Sequence, residues 1–176
     1  RYNEECPLND IIISDENDGN MRILRRYAFA SLKKFNRSCR GMSFGIYAQA
    51  GQGKTYVVKQ WSKTIELPFV FVQSDTLGST YDLYREIEDV CEDYGTPLVP
   101  QTSETKFVLP PIIVFFDEAH SLSKRLMEGS LLNAMEYGDG WMGVRSPGKN
   151  SQSLTVDCKN VCWIAATTER GRLFSA

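Results

Sequence analysis

Five consecutive apolar residues, Ile112 to Phe116, run directly into two acids, Asp117 and Glu118. A strand with one face in water alternates polar and apolar side chains. An unbroken β-branched and aromatic run instead fits a strand covered on both faces, as in a parallel sheet with helices on either side. Because strand and helix patterns alternate along the rest of the chain, this segment predicts an α/β fold. Both acids then fall at the carboxyl end of their strand, the edge where open α/β sheets bind ligands.

A second segment gives that edge its chemistry. Residues 48–55 read Ala-Gln-Ala-Gly-Gln-Gly-Lys-Thr. They lie between a short apolar stretch, Phe44 to Tyr47, and a segment from Lys54 in which Val57, Val58 and Trp61 recur at helical spacing. Strand, loop and helix are expected in that order. Gly51 and Gly53 allow the backbone to curl into a concave nest whose amides face an anion, with no Cβ in the way. Lys54 would reach the β- and γ-phosphates, Thr55 would bind Mg²⁺ through its hydroxyl, and the helix would present the positive end of its dipole. Ala48 stands where the usual pattern has its first glycine, a position open to any small residue. The cradle is therefore read over Ala48, Gly51, Gln52, Gly53, Lys54, Thr55 and Tyr56.

Against that loop, Asp117 would hold the Mg²⁺ shell, usually through water, and Glu118 would polarise an attacking water. Alone, the two acids could merely punctuate the end of a strand. Together with Lys54 and Thr55 they point to a nucleoside triphosphate, magnesium and hydrolysis.

The chain has 176 residues, 42% apolar and 24% charged, enough for one substantial core. We read a single domain, with residues 1–40 as an N-terminal segment and basic helix, and 41–176 as the nucleotide-binding core. Twenty Lys and Arg against 22 Asp and Glu give a formal charge of −2, so bulk charge does not argue for nucleic acid or membrane. Lacking an eighteen-residue apolar run and a signal-peptide core at Arg-Tyr-Asn-Glu-Glu, the chain is expected in the cytoplasm and off the membrane.

Cys6, Cys39, Cys91, Cys158 and Cys162 form no C-x-x-C pair, and with one histidine they offer no zinc site. We read them as reduced thiols, Cys91 on a buried helix face and Cys162 in a buried strand. His120 could touch a phosphate or a neighbouring element. As a lone histidine after the acids it reads as a structural hydrogen bonder.

Other elements follow from periodicity. A helix over 20–36 carries Met21, Leu24, Ala28, Leu32 and Phe35 on one face and Arg22, Arg25, Arg26, Lys33, Lys34 and Arg37 on the other, which reads as a solvated face. Phe69 to Val72 is a strand. Ser79 to Tyr94 is a helix with Leu83, Ile87, Val90, Cys91 and Tyr94 inward and a near capping box at Ser79 and Asp82. Gly95 to Phe107 is a loop, and Ser121 to Tyr137 a helix with Leu122, Leu126, Leu132 and Met135 toward the sheet, interrupted by Gly129. Trp141 to Val144 and Ser153 to Val156 form a projecting β-hairpin, and Val161 to Ala165 is a buried strand leading into Ala166-Thr167-Thr168.

Taken in order, the phosphate loop, the Asp-Glu strand and the final Ala-Ala-Thr-Thr strand resemble the AAA+ ATPases. Within that family the likeness is greatest to motor subunits of bacterial Holliday-junction branch migration. It rests on Ile12-Ile13-Ser14-Asp15-Glu16-Asn17, Phe116-Asp117-Glu118-Ala119-His120, Asn133-Ala134-Met135-Glu136, the hairpin, and Trp163 through Gly171. The resemblance implies a P-loop core with a central parallel sheet flanked by helices and a β-hairpin inserted before the last strand. It implies Thr168, rather than Thr167, as the sensor 1 residue that helps position the lytic water, and Ile12 and Ile13 against adenine. It implies a homo-oligomeric ring, a hexamer, acting on DNA, and a protein partner on the hairpin, with Trp141, Met142 and Val144 as candidate contacts; a tryptophan there is otherwise core. The family continues into an arginine finger and a small helical lid. The sequence stops at Ser175-Ala176, so both are expected to be absent, Arg170 and Arg172 are not taken as substitutes, and slow turnover is expected beside firm ATP binding. Two alternatives stand: a superfamily-2 helicase, since Asp-Glu-Ala-His is also its hallmark, and a nucleotide-dependent switch that recruits a partner.

Overall fold

The computed structural model describes residues 43–64, 66–96, 98, 106–136, 140–148 and 151–169. Ile12 and Ile13, the basic helix expected over 20–36, Cys6, Cys39, Arg170 and Arg172 lie outside the described residues.

Four strands build the main sheet: β1 (Ser43–Tyr47), β2 (Phe69–Gln73), β4 (Ile112–Asp117) and β7 (Val161–Thr167). Their spatial order is β1-β7-β4-β2, all parallel. The run from Ile112 to Phe116 is fully buried, as its composition requires of a strand covered on both sides. Alternation sends Ile112, Val114 and Phe116 into one core, and Ile113 and Phe115 into another with Val58 and Trp61 of helix α1 (Lys54–Thr64). The Phe116 and Trp163 rings stack with centroids 5.9 Å apart, and Trp163 Nε1 donates to Ala134 O at 3.1 Å.

Helix α2 (Thr80–Asp93) starts as its sequence predicts. Ser79 Oγ accepts from the Asp82 amide at 3.2 Å and donates to Asp82 Oδ2 at 2.8 Å. Leu83, Ile87 and Cys91 are fully buried at four-residue spacing. Tyr94, expected inward, is 54% exposed, because the helix ends at Asp93 and Tyr94, the C-cap residue, has left the helical path.

The expected helix over Ser121 to Tyr137 is broken into a 3₁₀ turn (Ala119–Ser121), an α-helical turn (Lys124–Leu126), a π-helical stretch (Met127–Leu131) and a last α-helical turn (Leu132–Ala134). Gly129, the weakest helix former of the segment, falls in the π stretch, where the wider turn takes up one extra residue. The buried stripe therefore steps from Leu126 to Leu131, five residues on, and Leu132 turns outward. A strict 3.6 period places Leu132 inward, and the π turn reverses that assignment.

The region after α2 holds a short strand, β3 (Lys106–Val108), at the end of the stretch expected to be loop. It pairs in parallel with β6 (Ser153–Asp157), which pairs antiparallel with β5 (Trp141–Arg145). The hairpin is thus part of a second sheet, β3-β6-β5, and not a free projection. Met142, Val144 and Val156 are buried in the main core, whereas Trp141 is 49% exposed. Of the three candidate partner contacts, Met142 and Val144 are core and Trp141 alone is available. Gly140, at the hairpin entrance, lies so close to the carbonyl oxygens of Ala134 and Glu136 that a Cβ there would collide with backbone. Cys91 and Cys162 are buried as expected, and Cys158 is buried too.

Candidate nucleotide site

β7 lies between β1 and β4, so the loop after β1, the acids after β4 and the threonines ending β7 share one edge of the sheet. That ordering decides the geometry. Tyr47 pairs with Thr167 in register, and Ala48 N donates to Thr167 O at 3.3 Å, which ties the start of the loop to the end of β7.

The loop has the backbone that its glycines predict. Gly51 and Gly53 have φ of 77° and 76°, the left-handed region that side chains disfavour. A Cβ built at either meets nothing within 4 Å, so it is the left-handed φ and not crowding that calls for glycine here. Gln52 braces the loop, its Oε1 accepting from the Gln49 amide at 3.2 Å and its amide donating to Gln49 O at 3.3 Å. The first helical hydrogen bond, Val57 N to Gly53 O, is 2.9 Å, and α1 therefore starts from the loop itself. Tyr56 is exposed on that first turn.

Lys54 reaches back under the loop. Its Nζ donates to Ala48 O at 3.1 Å and lies 3.5 Å from Glu118 Oε1, with the lysine side chain almost wholly buried. By alternation Asp117 continues the Ile113 and Phe115 face, the face that α1 covers through Val58 and Trp61. Its Oδ1 accepts from the Glu118 amide at 3.2 Å.

Glu118 leaves the strand direction through a left-handed backbone, φ 46° and ψ 51°, an arrangement that costs a non-glycine residue about 1 kcal/mol or more. The turn swings its carboxylate across to β7. Oε2 accepts from Thr168 Oγ1 at 2.8 Å and Thr168 N at 3.2 Å, and His120 Nδ1 lies 3.3 Å away. Partial desolvation works to raise the pKa of Glu118. The hydroxyl and amide of Thr168, with Lys54 and His120 nearby, outweigh it and hold the carboxyl below its ordinary value. The stabilisation from these contacts is therefore present above the ordinary carboxylate pKa and is lost as pH falls through the lowered one. Replacing Thr168 with valine removes one of the two strongest of these contacts. The Glu118 pKa should then move up toward its ordinary value, as followed by NMR titration of that carboxyl.

Thr167 and Thr168 are adjacent but do different things. Thr167 is buried, and its Oγ1 accepts from Glu169 N at 3.0 Å and meets His120 Nδ1 at 2.8 Å. Thr168 faces Glu118. The pairing of His120 with Thr167, and the approach of Glu169 Oε1 to His120 Nε2 at 3.6 Å, had no signal in the sequence beyond the nearness of His120 to the acids. Ala48, Gly51, Gln52, Gly53, Lys54, Thr55, Asp117, Glu118 and Thr168 are thus gathered at one sheet edge.

A parallel α/β sheet with a glycine nest opening a helix, and an adjacent strand delivering Asp-Glu, defines a P-loop nucleotide-binding domain. The family model of the ATPase family associated with various cellular activities (AAA) matches residues 44–176, so the chain belongs to that family. This membership sets aside the superfamily-2 alternative. In fold the chain is similar to RuvB of Thermotoga maritima. One RuvB variant aligns with a TM-score of 0.63 at 17% identity over 96% of this chain and 44% of the other. A second variant gives 0.52 at 15% identity over 93% and 42%. A structure described as the Thermotoga maritima RuvB Holliday junction branch migration motor gives 0.50 at 15% identity over 93% and 41%. The chain spans less than half the length of those proteins. A search of curated protein sequences found no match. Among the described residues no helix is long and apolar enough to cross a membrane.

Proposed function

We propose that the chain is the ATP-binding and ATP-hydrolysing part of a motor that remodels DNA and works as a homo-oligomeric ring. The observation that carries the proposal is the position of Glu118, with one oxygen toward Lys54 of the phosphate loop and the other held by Thr168. The triphosphate lies in the cup of residues 48–55, its oxygens on backbone amides and the N-terminus of α1. Lys54 turns from Ala48 O and Glu118 to the β- and γ-phosphates.

The site suits magnesium. Thr55 and Asp117 offer one hydroxyl and one carboxylate, and among the described residues no group of three or more His, Cys, Asp or Glu could form an all-protein cage. One or two protein oxygens completed by phosphates and water is the set that this ion prefers. When bound, magnesium supplies charge that offsets the developing charge on the phosphates. Glu118 Oε1 accepts a hydrogen from the attacking water, while Thr168 holds Oε2 and so fixes the carboxylate plane. The water oxygen bonds to the γ-phosphorus as the bond to the bridging oxygen breaks, ADP leaves, and the water's proton ends on the released phosphate.

The RuvB likeness supports DNA as the remodelled substrate. A second reading, a nucleotide-dependent switch that recruits a protein partner, is favoured by the exposed Trp141 on the hairpin. ATPase assays of the natural full-length protein with and without branched DNA separate them. Stimulation by branched DNA together with ring assembly supports the motor; turnover indifferent to DNA overturns it in favour of the switch.

A further inference from the structure

His120 takes part in neither the phosphate cup nor the metal set, yet it is largely buried beside the carboxylates of Glu118 and Glu169. We infer that His120 is a positioning residue that fixes Glu118 for hydrolysis and links it to the segment leaving β7. This inference rests on the assignment of Glu118 as the residue that orients water.

The contacts determine what the ring must do. Nδ1 lies 2.8 Å from Thr167 Oγ1 and 3.3 Å from Glu118 Oε2, and Nε2 lies 3.6 Å from Glu169 Oε1. An ionised carboxylate only accepts hydrogen bonds, and Thr167 Oγ1 already accepts from Glu169 N while retaining a second lone pair. A bare Nδ1 would set its lone pair against the Glu118 oxygen. Nδ1 therefore carries a proton that points into the cleft between the two oxygens.

Glu118 Oε2 is then clasped by three donors: the Thr168 hydroxyl, the Thr168 amide and the His120 ring. Clasping one oxygen this way leaves Oε1, the one toward Lys54, as the working oxygen. The left-handed backbone at Glu118 gives the clasp a further purpose, since a strained turn keeps its direction only when the surroundings hold it. Through Glu169 the same ring also touches the chain beyond β7, so a shift there is transmitted to the carboxylate.

The test compares three substitutions of His120, and H120A again beside E118Q, in the natural full-length protein, with ATP turnover and the affinity of a fluorescent ATP analogue measured side by side. H120A should lower kcat by about 10- to 100-fold, as expected when a reacting group is misplaced by about an ångström, while KM and analogue affinity hold. H120N, whose amide N–H falls near the Nδ1 position, should recover more turnover than H120Q, whose amide falls near Nε2. In an E118Q background, H120A should change the residual rate less than about twofold, since His120 acts through Glu118. Unchanged kcat in H120A overturns the inference, as does a fall in analogue affinity matching the fall in kcat. Should H120A fail to fold, equal activity of H120N and H120Q overturns it. Full activity of E118Q would instead overturn the assignment of Glu118, a separate outcome.

Discussion

Replacing Glu118 with glutamine is expected to abolish turnover and leave ATP bound. Glutamine keeps the shape of the side chain and can still accept from Thr168 Oγ1 and N, which now hold Oε2 at 2.8 and 3.2 Å. What it loses is a charged oxygen able to take a hydrogen from water. Positioned acid–base groups contribute about 10²- to 10⁴-fold, so kcat should fall by at least about 10²-fold. The affinity for a fluorescent ATP analogue should hold or increase slightly, because a negative charge facing the γ-phosphate has gone. The measurement is steady-state phosphate release beside an equilibrium titration. Turnover near the unsubstituted rate would remove Glu118 from the mechanism.

Lys54→Ala acts one step earlier, on binding. The Lys54 ammonium is buried between Ala48 O and Glu118 Oε1, already desolvated and already at the mouth of the phosphate cup. A hydrogen bond to a charged group contributes about 1.5–3 kcal/mol, and at the upper end of that range its loss weakens Kd by about 100-fold. Alanine also strips Glu118 of its cation and leaves an uncompensated carboxylate facing the triphosphate, which acts in the same direction. Titration of the same analogue into the variant should show little or no binding at concentrations that saturate the unsubstituted chain. The double variant K54A/E118Q separates the two contributions: if repulsion by Glu118 matters, it should bind better than K54A alone.

Much of the site was legible because its determinants are local. Gly51 and Gly53 were expected to let the backbone curl into a nest, and both take the left-handed backbone that glycine adopts without penalty. The run from Ile112 to Phe116 announced its own burial, and Ser79 with Asp82 announced the start of α2. Less legible was any feature set by balance among neighbours. Gly129 marked a weak point in its helix, but whether a weak point becomes a kink, a break or a π turn depends on what the helix must reach. Here it let Leu131 enter the core in place of Leu132. Lys106 to Val108 is too short to announce a strand, and it is one because β6 offers it an edge. The hairpin's two strands were visible in their alternation. Their outward face was not, because Met142, Val144 and Trp141 all read as apolar and only packing against α2 and the helical segments of 127–134 divides them.

By itself the sequence determined the kind of chemistry, through residue types that bind phosphate and magnesium wherever they are brought together, and the class of fold, through hydrophobic period. The tertiary structure alone decided adjacency: that β7 threads between β1 and β4, and so carries Thr168 to Glu118 across fifty residues and seats His120 against Thr167. The physical reason is range. Backbone preference and hydrophobic period act within a few residues, whereas the order of strands in a sheet is chosen by the burial of the whole chain at once.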